Sequence, residues 1–379
     1  PLLRQAGMGA MSPARQGAGL RLAGRPSLAR SLLAQDTSLE TATVKEGVLE
    51  DKFWMWKGYK IRYQSAGEEN TDGPSLVLIH GFGGNADHWR KNTPELAAQG
   101  FRVFAVDLLG YGYSDKPLPQ EMGGANGESS RDLDSYLRFA PPDAPRYGQI
   151  GDTPFTDMAH PVESGYNFYT WADQVSDFTK EIVGAKSFLI CNSIGSSCGL
   201  QVAVDFPEQV SGVQILNPSL RQLNIKRQTP FSVPFVSALQ TVLRETPLGE
   251  QFFSVVATEN TVRTVFQTIY PRKEAVTDEL VQCILKPGRT LNAPKVFLDF
   301  ISYSAGPLPE EQLSILSSTE YKDAGKSVPV SILWGEKDPW EDVTLGRYYE
   351  RYETVEEFVP LPGLGHCPMD EAPEIVNPK

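Results

Sequence analysis

The sequence predicts an α/β fold: a mostly parallel central sheet flanked by helices, with a helical cap inserted between two late strands. Three observations predict it. Short apolar runs of strand length alternate with helically spaced segments, the β-α-β rhythm of a parallel sheet. The run Ser187 to Gly199, SFLICNSIGSSCG, reads as a strand that turns abruptly into a helix with a serine at its apex. From about Gln222 to Asp323 strand signals fade, and apolar residues cluster at helical spacing instead.

The first 35 residues carry five arginines (Arg4, Arg15, Arg21, Arg25, Arg30) and no acidic residue before Asp36. Arg-rich, acid-free and without a long apolar core, they read as an organelle transit peptide rather than a secretory signal. Without them the chain holds 30 basic against 47 acidic residues, so the body is acidic. A polar linker, 36–48, follows. Phe53 to Trp56 and Tyr59 to Tyr63 flank Lys57-Gly58 and predict a two-strand hairpin. Ser75 to Ile79 is a buried-strand run that ends in His80-Gly81-Phe82-Gly83-Gly84. Thr93-Pro94 opens a short helix and Gly100 closes it. Phe101 to Val106 is the next strand, leading into Asp107-Leu108-Leu109-Gly110-Tyr111-Gly112.

Residues 117–166 are rich in Pro, Gly and acidic residues and read as a surface insertion. Trp171, Val175, Phe178 and Ile182 share a helical face before the strand that carries the serine. Val213 to Leu216 is a strand ending at Asn217-Pro218. The core is therefore expected over 49–221 and 324–379, and the cap over 222–323. Most of the cap's apolar residues, among them Phe231, Leu239, Phe252, Phe253, Phe297 and Phe300, are expected to form its own core, with a subset free to line a lipophilic pocket. Val328 to Trp334, a helix near Leu345 to Tyr352 and a strand near Val355 to Val359 complete the sheet.

Composition excludes several classes. The 379 residues are 40% hydrophobic, typical of globular proteins, and no run approaches the ~18 apolar residues of a membrane span. The net charge of −12 argues against binding a nucleic-acid backbone. The four cysteines show neither C-x-x-C spacing nor disulfide density, and read as buried thiols in a reducing compartment.

The chemistry centres on Ser193. A strand forced into a helix strains its apex residue, so the neighbours two before and two after must be small, the logic of G-x-S-x-G. Here these are Cys191, a departure from glycine, and Gly195. A serine hydroxyl needs a base, and the base needs a carboxylate to fix its tautomer. His366 is the only histidine after Ser193 and lies in a Gly-rich loop after a strand, whereas His80 and His88 precede the serine and His160 falls in the insertion. Asp338, 28 residues before His366 in an Asp-Pro loop, is the preferred acid, with Glu336 and Asp342 as rivals. The alternative acid position, after the preceding strand, holds Asn217-Pro218. The oxyanion of an acyl-transfer intermediate needs backbone donors, for which the N–H groups of Ile194 and Phe82 are the candidates. His80 is expected to orient the Gly81-Phe82 loop rather than act as a base. A rival reading takes Gly81 to Ala86 as G-x-G-x-x-A and Asp107 as a ribose-binding acid, which would make a dinucleotide-dependent oxidoreductase. It leaves Ser193, Asp338 and His366 unexplained.

With these residues in place, the chain from about Phe53 to Lys379 resembles the α/β-hydrolase family. The segments LVLIHGFGGNADHWRKNTPELA, VFAVDLLGYGYSDKP, CNSIGSSCGLQVAVDFPEQVSGV, SILWGEKDPWEDV and LPGLGHCPMDEAPEIVNP stand in family order. The wording is most similar to the plastid pheophytinase and chlorophyll-dephytylase-like group of plants and algae, whose members hydrolyse the phytyl ester of chlorin pigments. The resemblance implies Ser193 as nucleophile, Asp338 as acid, His366 as base, and Phe82 with Ile194 as oxyanion donors. A serine at 193 sets the chain apart from epoxide-hydrolase and haloalkane-dehalogenase relatives, which use an aspartate there. The expectation is a plastid serine hydrolase for a small lipophilic ester, with no metal or organic cofactor and room for peripheral membrane contact. The alternatives are a general esterase or lipase on acyl lipids or small esters, and a low-turnover ligand receptor on the same scaffold.

Overall fold

The computed structural model describes residues 49–122, 164–229 and 231–379. The expected transit peptide, the linker to residue 48, and all but the two ends of the 117–166 insertion lie outside the described residues, as does His160.

Eight strands form one sheet: β1 (Lys52–Trp56), β2 (Tyr59–Ala66), β3 (Ser75–Ile79), β4 (Arg102–Val106), β5 (Ser187–Asn192), β6 (Val210–Leu216), β7 (Val330–Gly335) and β8 (Val355–Leu361). Their order is β1-β2-β4-β3-β5-β6-β7-β8. The β1–β2 hairpin and the β2–β4 pair are antiparallel, and every pairing from β4 through β3 to β8 is parallel. The fold is thus the mostly parallel sheet the sequence predicts. Central strands β3 (SLVLI) and β7 (VSILWG) are buried at every position, the signature of strands covered on both faces.

Alternate residues feed two cores. Val77 and Ile79 of β3 join Phe104, Val106, Leu189, Ile215 and Ile332 on one face. There they meet α2 (Phe168–Phe178) and α3 (Ile194–Asp205), whose buried side chains include Trp171, Val175 and Leu200. Leu76 and Leu78 point the other way, to a second cluster with Val103, Trp89 and Leu333. The single-turn segment Ala86–Trp89 and helix α1 (Thr93–Ala98) lie on that side.

Between β6 and β7 the chain runs through α4 (Val233–Glu245), α5 (Pro247–Val256), α6 (Glu259–Ile269), α7 (Asp278–Gly288) and α8 (Ala293–Ile301). These are the cap. The next two helices, α9 (Pro309–Leu316) and α10 (Thr319–Asp323), behave differently from the expected 222–323 cap. Leu313, Ile315 and Leu316 join the first sheet core, Gln312 Nε2 donates to Ser197 O at 2.8 Å, and the Tyr321 hydroxyl donates to Val204 O at 3.0 Å. Both helices pack on α3, so the cap ends near Gly306. An amphipathic helix reads alike whether it faces a cap or a sheet, so spacing alone did not place this boundary. A second difference lies within the cap. Phe253, Phe266 and Ile269 are buried, but Phe231, Leu239, Phe252 and Val265 are exposed. The expectation that most of the cap's apolar residues form its own core does not extend to these four.

Candidate active site

The site is built on the β5–α3 turn. Ser193 has φ +54° and ψ −120°, a region a side chain enters only under strain of about 1–3 kcal/mol. Main-chain bonds hold it there: Ser193 N–H donates to Leu216 O at 3.1 Å, and Ser193 O accepts from the N–H groups of Ser196 (3.1 Å) and Ser219 (3.2 Å). The turn also demands small neighbours. A Cβ on Gly195 would come 2.7 Å from Ile79 O, and one on Gly81 would come 2.9 Å from Ser193 Cβ. Cys191, standing where glycine is usual, is fully buried. Its sulfur fills space left open by Gly199, six residues beyond the serine, where a Cβ would collide with Sγ. Burial pushes the Cys191 thiol well up, so it is a neutral packing group.

The structure brings Ser193, His366 and Asp338 into one hydrogen-bonded chain. Ser193 Oγ lies 3.0 Å from His366 Nε2, and His366 Nδ1 lies 2.6 Å from Asp338 Oδ2. All three are buried. The carboxylate is fully engaged: Oδ2 also accepts from Asn217 Nδ2 at 2.8 Å, and Oδ1 accepts from the N–H groups of Trp340 (2.9 Å) and Glu341 (3.2 Å). The rival acids sit elsewhere. Glu336 is exposed, and Asp342 caps a short helix by accepting from Thr344 N–H at 2.8 Å.

His80 is fully buried beside the Gly81–Gly84 loop. Its Nε2 accepts from Leu108 N–H at 3.1 Å, which leaves the proton on Nδ1 to be donated to Gly81 O at 2.8 Å. Burial lowers its pKa to about 4, so it is a neutral brace. Phe82 follows, 40% exposed, with its ring against Phe297 and Phe300 at 5.1 and 5.3 Å. Ile194 opens α3, where the first N–H groups of a helix lack partners within it.

Four residues escaped the sequence reading. Asn217 grips Asp338 through its amide and accepts from Gly335 N–H at 2.9 Å through Oδ1. Asn192 donates to Leu216 O at 3.1 Å and to His366 O at 3.0 Å, tying the serine strand to the histidine loop. Trp340, half exposed, stands edge-on to the His366 ring at 4.8 Å. Glu341 buries its carboxyl beside Asp338, accepting from Leu220 N–H at 2.9 Å while Oε2 has no partner among the described residues. Burial raises its pKa to about 7. A lone amide or tryptophan carries no sequence signal of this kind. Trp340 and Glu341 lie inside the quoted motif SILWGEKDPWEDV, the one hint available.

The dinucleotide reading fails on geometry. Asp107 is fully buried, with Oδ1 accepting from Ala86 N–H at 2.6 Å and Oδ2 from Tyr113 N–H at 2.7 Å, and with Arg62 alongside. Its carboxylate stitches two loops together and is closed to a ribose. The glycine run leads into a single turn, Ala86–Trp89, not into a long helix whose N-terminus could hold a pyrophosphate.

A parallel sheet with a strained serine between strand and helix, a histidine and an aspartate in loops after later strands, and a cap inserted after β6 together define a class. The chain belongs to the alpha/beta hydrolase fold family, whose pattern matches residues 74–373. It is 24% identical over 341 residues to the chloroplastic pheophytinase of Arabidopsis thaliana, a match covering 85% of this chain and 63% of that protein. The chain thus spans less than two thirds of that relative. Among solved structures it is similar to the epoxide hydrolase CorEH (TM-score 0.58, 18% identity, 87% of this chain and 96% of that one). It is also similar to the serine hydrolase CarC of carbazole degradation (TM-score 0.56, 18% identity, 87% and 96%). At these identities the two structures speak for the fold.

Proposed function

We propose that the protein is a serine hydrolase that cleaves a carboxylic ester through an acyl-enzyme. The observation that carries this reading is the Ser193–His366–Asp338 chain, with contacts of 3.0 and 2.6 Å, set on a strained turn. Ser193 Oγ attacks the ester carbonyl as His366 Nε2 takes its proton. Asp338, held by three N–H donors, keeps Nδ1 protonated and stabilises the imidazolium. The oxyanion is held by the N–H groups of Ile194 and Phe82. Loss of one such donor costs about 10²–10³ in turnover. Collapse breaks the C–O bond, and His366 hands its proton to the leaving alcohol. Water, deprotonated by the same histidine, then attacks the acyl-Ser193 and releases the acid.

An apolar ester fits the surroundings. Phe82, Phe297, Phe300 and Phe253 form a run of aromatic contacts that starts in the loop whose Gly81 abuts Ser193. Together with the likeness to a pheophytinase, this supports the phytyl ester of pheophytin or chlorophyll as substrate. The basic 1–35 segment and the chloroplastic relative support a plastid location, checked by imaging residues 1–48 fused to a fluorescent protein.

The test is turnover of pheophytin, chlorophyll and a short nitrophenyl ester by the protein and its Ser193→Ala variant. Ser193-dependent release of pheophorbide is expected. Cleavage of the short ester alone would keep the mechanism and discard the pigment. No turnover of any ester would favour the receptor alternative.

A further inference from the structure

We propose that the outward face of α4 and α5 is a docking surface for an uncharged lipid bilayer, from which the substrate enters. The proposal rests on the ester-hydrolase reading for its purpose but not for its evidence. Helix α4 has no buried residue. Phe235, Leu239 and Val242 recur on it at the i, i+4, i+7 spacing of a helix face, and all three are exposed. Leu248, Phe252 and Val255 repeat that spacing on α5, also exposed. Phe231, just before α4, is 94% exposed. Scattered exposed apolar residues are ordinary, but six on two adjoining helices, with Phe231 just ahead of them, form a patch of the kind that marks an interaction site. The two helices pack on each other and on α8, so the face is held as one surface.

Charge selects the occupant. Across residues 228–257 the only charged side chains are Arg244, Glu245 and Glu250. Arg244 pairs with Glu245 at 2.9 Å, and Glu250 pairs with Lys295 at 2.6 Å. In a chain of net charge −12 this face is locally neutral, with no basic ring to seek anionic headgroups and no excess acid to repel a bilayer. Its attraction is apolar burial, the driving term for helices that lie in a membrane interface. No helix among the described residues is long and apolar enough to cross a membrane, so the contact would be peripheral.

Continuity with the site favours lipid over a protein partner. Phe252 is on the outer face and its neighbour Phe253 turns inward, 5.2 Å from Phe297. Phe297 meets Phe82 at 5.1 Å, and Gly81 beside it abuts Ser193. A run of packed aromatic rings therefore marks a path from the face to the loop beside Ser193. A lipid-dissolved ester would use that path, whereas a protein partner or a second copy would not.

The experiment is flotation of the full chain with phosphatidylcholine vesicles at low and high salt, beside the variant Phe231→Gln/Phe235→Gln/Leu239→Gln. Glutamine removes apolar area without adding charge. The protein should float with the vesicles, insensitive to salt, and the triple variant should lose about tenfold or more in bound fraction. Its melting temperature and short-ester turnover should be unchanged. Ser193→Ala should float like the parent, so loss of the ester reading and loss of the docking reading are separable. Three results would overturn the proposal. One is a parent that stays in solution, or floats only with phosphatidylglycerol at low salt. Another is a lipid-free dimer that the triple variant splits. The third is a lowered melting temperature with unchanged flotation, which would mean that the chain covers this face itself.

Discussion

Gly199→Ala probes why cysteine stands two residues before Ser193. Helix propensity alone favours the change by about 1 kcal/mol, because alanine outranks glycine in a helix interior. Against this, the added Cβ would sit closer than 3.0 Å to Cys191 Sγ, while its other neighbours, Cys191 Cβ and Val213 Cγ1, stand at an ordinary 3.7 Å. The sulfur is thus the sole obstacle, and it is fully buried on a central strand. Overpacking of this size costs about 1–3 kcal/mol, so the collision should cancel or outweigh the propensity. Gly199→Ala is expected to be destabilising by roughly 0–2 kcal/mol. In a Cys191→Ala background the obstacle is gone, and the same change should stabilise by about 1 kcal/mol. The coupling between the two sites is therefore about 1–3 kcal/mol. Urea unfolding of the four proteins, compared at equal m-values, measures it. Because β5 carries the turn, short-ester turnover should fall in Gly199→Ala and recover in the double variant. A stabilised Gly199→Ala in the parent, or a coupling below about 0.5 kcal/mol, would refute the reasoning.

Glu341→Gln reads out a buried carboxyl. Its pKa rises from 4.5 to about 7 in the folded protein, so its protonated form stabilises fully below about pH 4.5 and that benefit is lost as pH climbs through 7. The variant should match the parent near pH 4 and exceed it at pH 8 by up to about 3 kcal/mol, in denaturant melts at both pH values. Asn217→Gly keeps a backbone that needs φ +42° and deletes one donor to Asp338. A hydrogen bond to a charged group is worth about 1.5–3 kcal/mol, so kcat should drop roughly ten- to hundredfold with KM little changed. Tyr270→Phe removes the hydroxyl that bridges His88 Nε2 (3.0 Å) and Asp370 Oδ2 (3.1 Å). Two buried groups lose a partner, and thermal unfolding should report a loss of about 1–3 kcal/mol.

How much of this was legible in the sequence follows from the range of each interaction. Strands β3 and β7 announced themselves because burial on both faces leaves a nearly unbroken apolar run. Ser193 was legible because a strained turn dictates its neighbours, and His366 because no other histidine follows it. Asn192 and Asn217 were not, since their roles come from reaching 174 and 121 residues along the chain. Cys191 was visible as a departure, but its accommodation by Gly199 exists only once strand and helix are packed. The cap's helices were readable from spacing, and what their faces meet was not. The same i, i+4, i+7 pattern serves α9 on the sheet core and α4 in the open.

The cap is also more than a cover. The carbonyl of Ile269, the last residue of α6, accepts from His366 N–H at 3.1 Å. A Cβ on Gly365 would strike that same carbonyl, so the glycine permits the approach. One residue on, Tyr270 is pinned through Asp370 to Arg90 (2.6 Å), and Glu371 accepts from the N–H groups of Arg272 and Gly365, both at 2.7 Å. The loop that carries His366 thus hangs partly from the cap, while Asn192 fixes its other side to the strand before Ser193. The α6 end and the 3.0 Å contact between His366 and Ser193 are thus two hydrogen bonds apart, joined through the His366 main chain. If the α4–α5 face seats the cap on a lipid surface, the cap held there is the same element whose α6 end bonds the His366 loop.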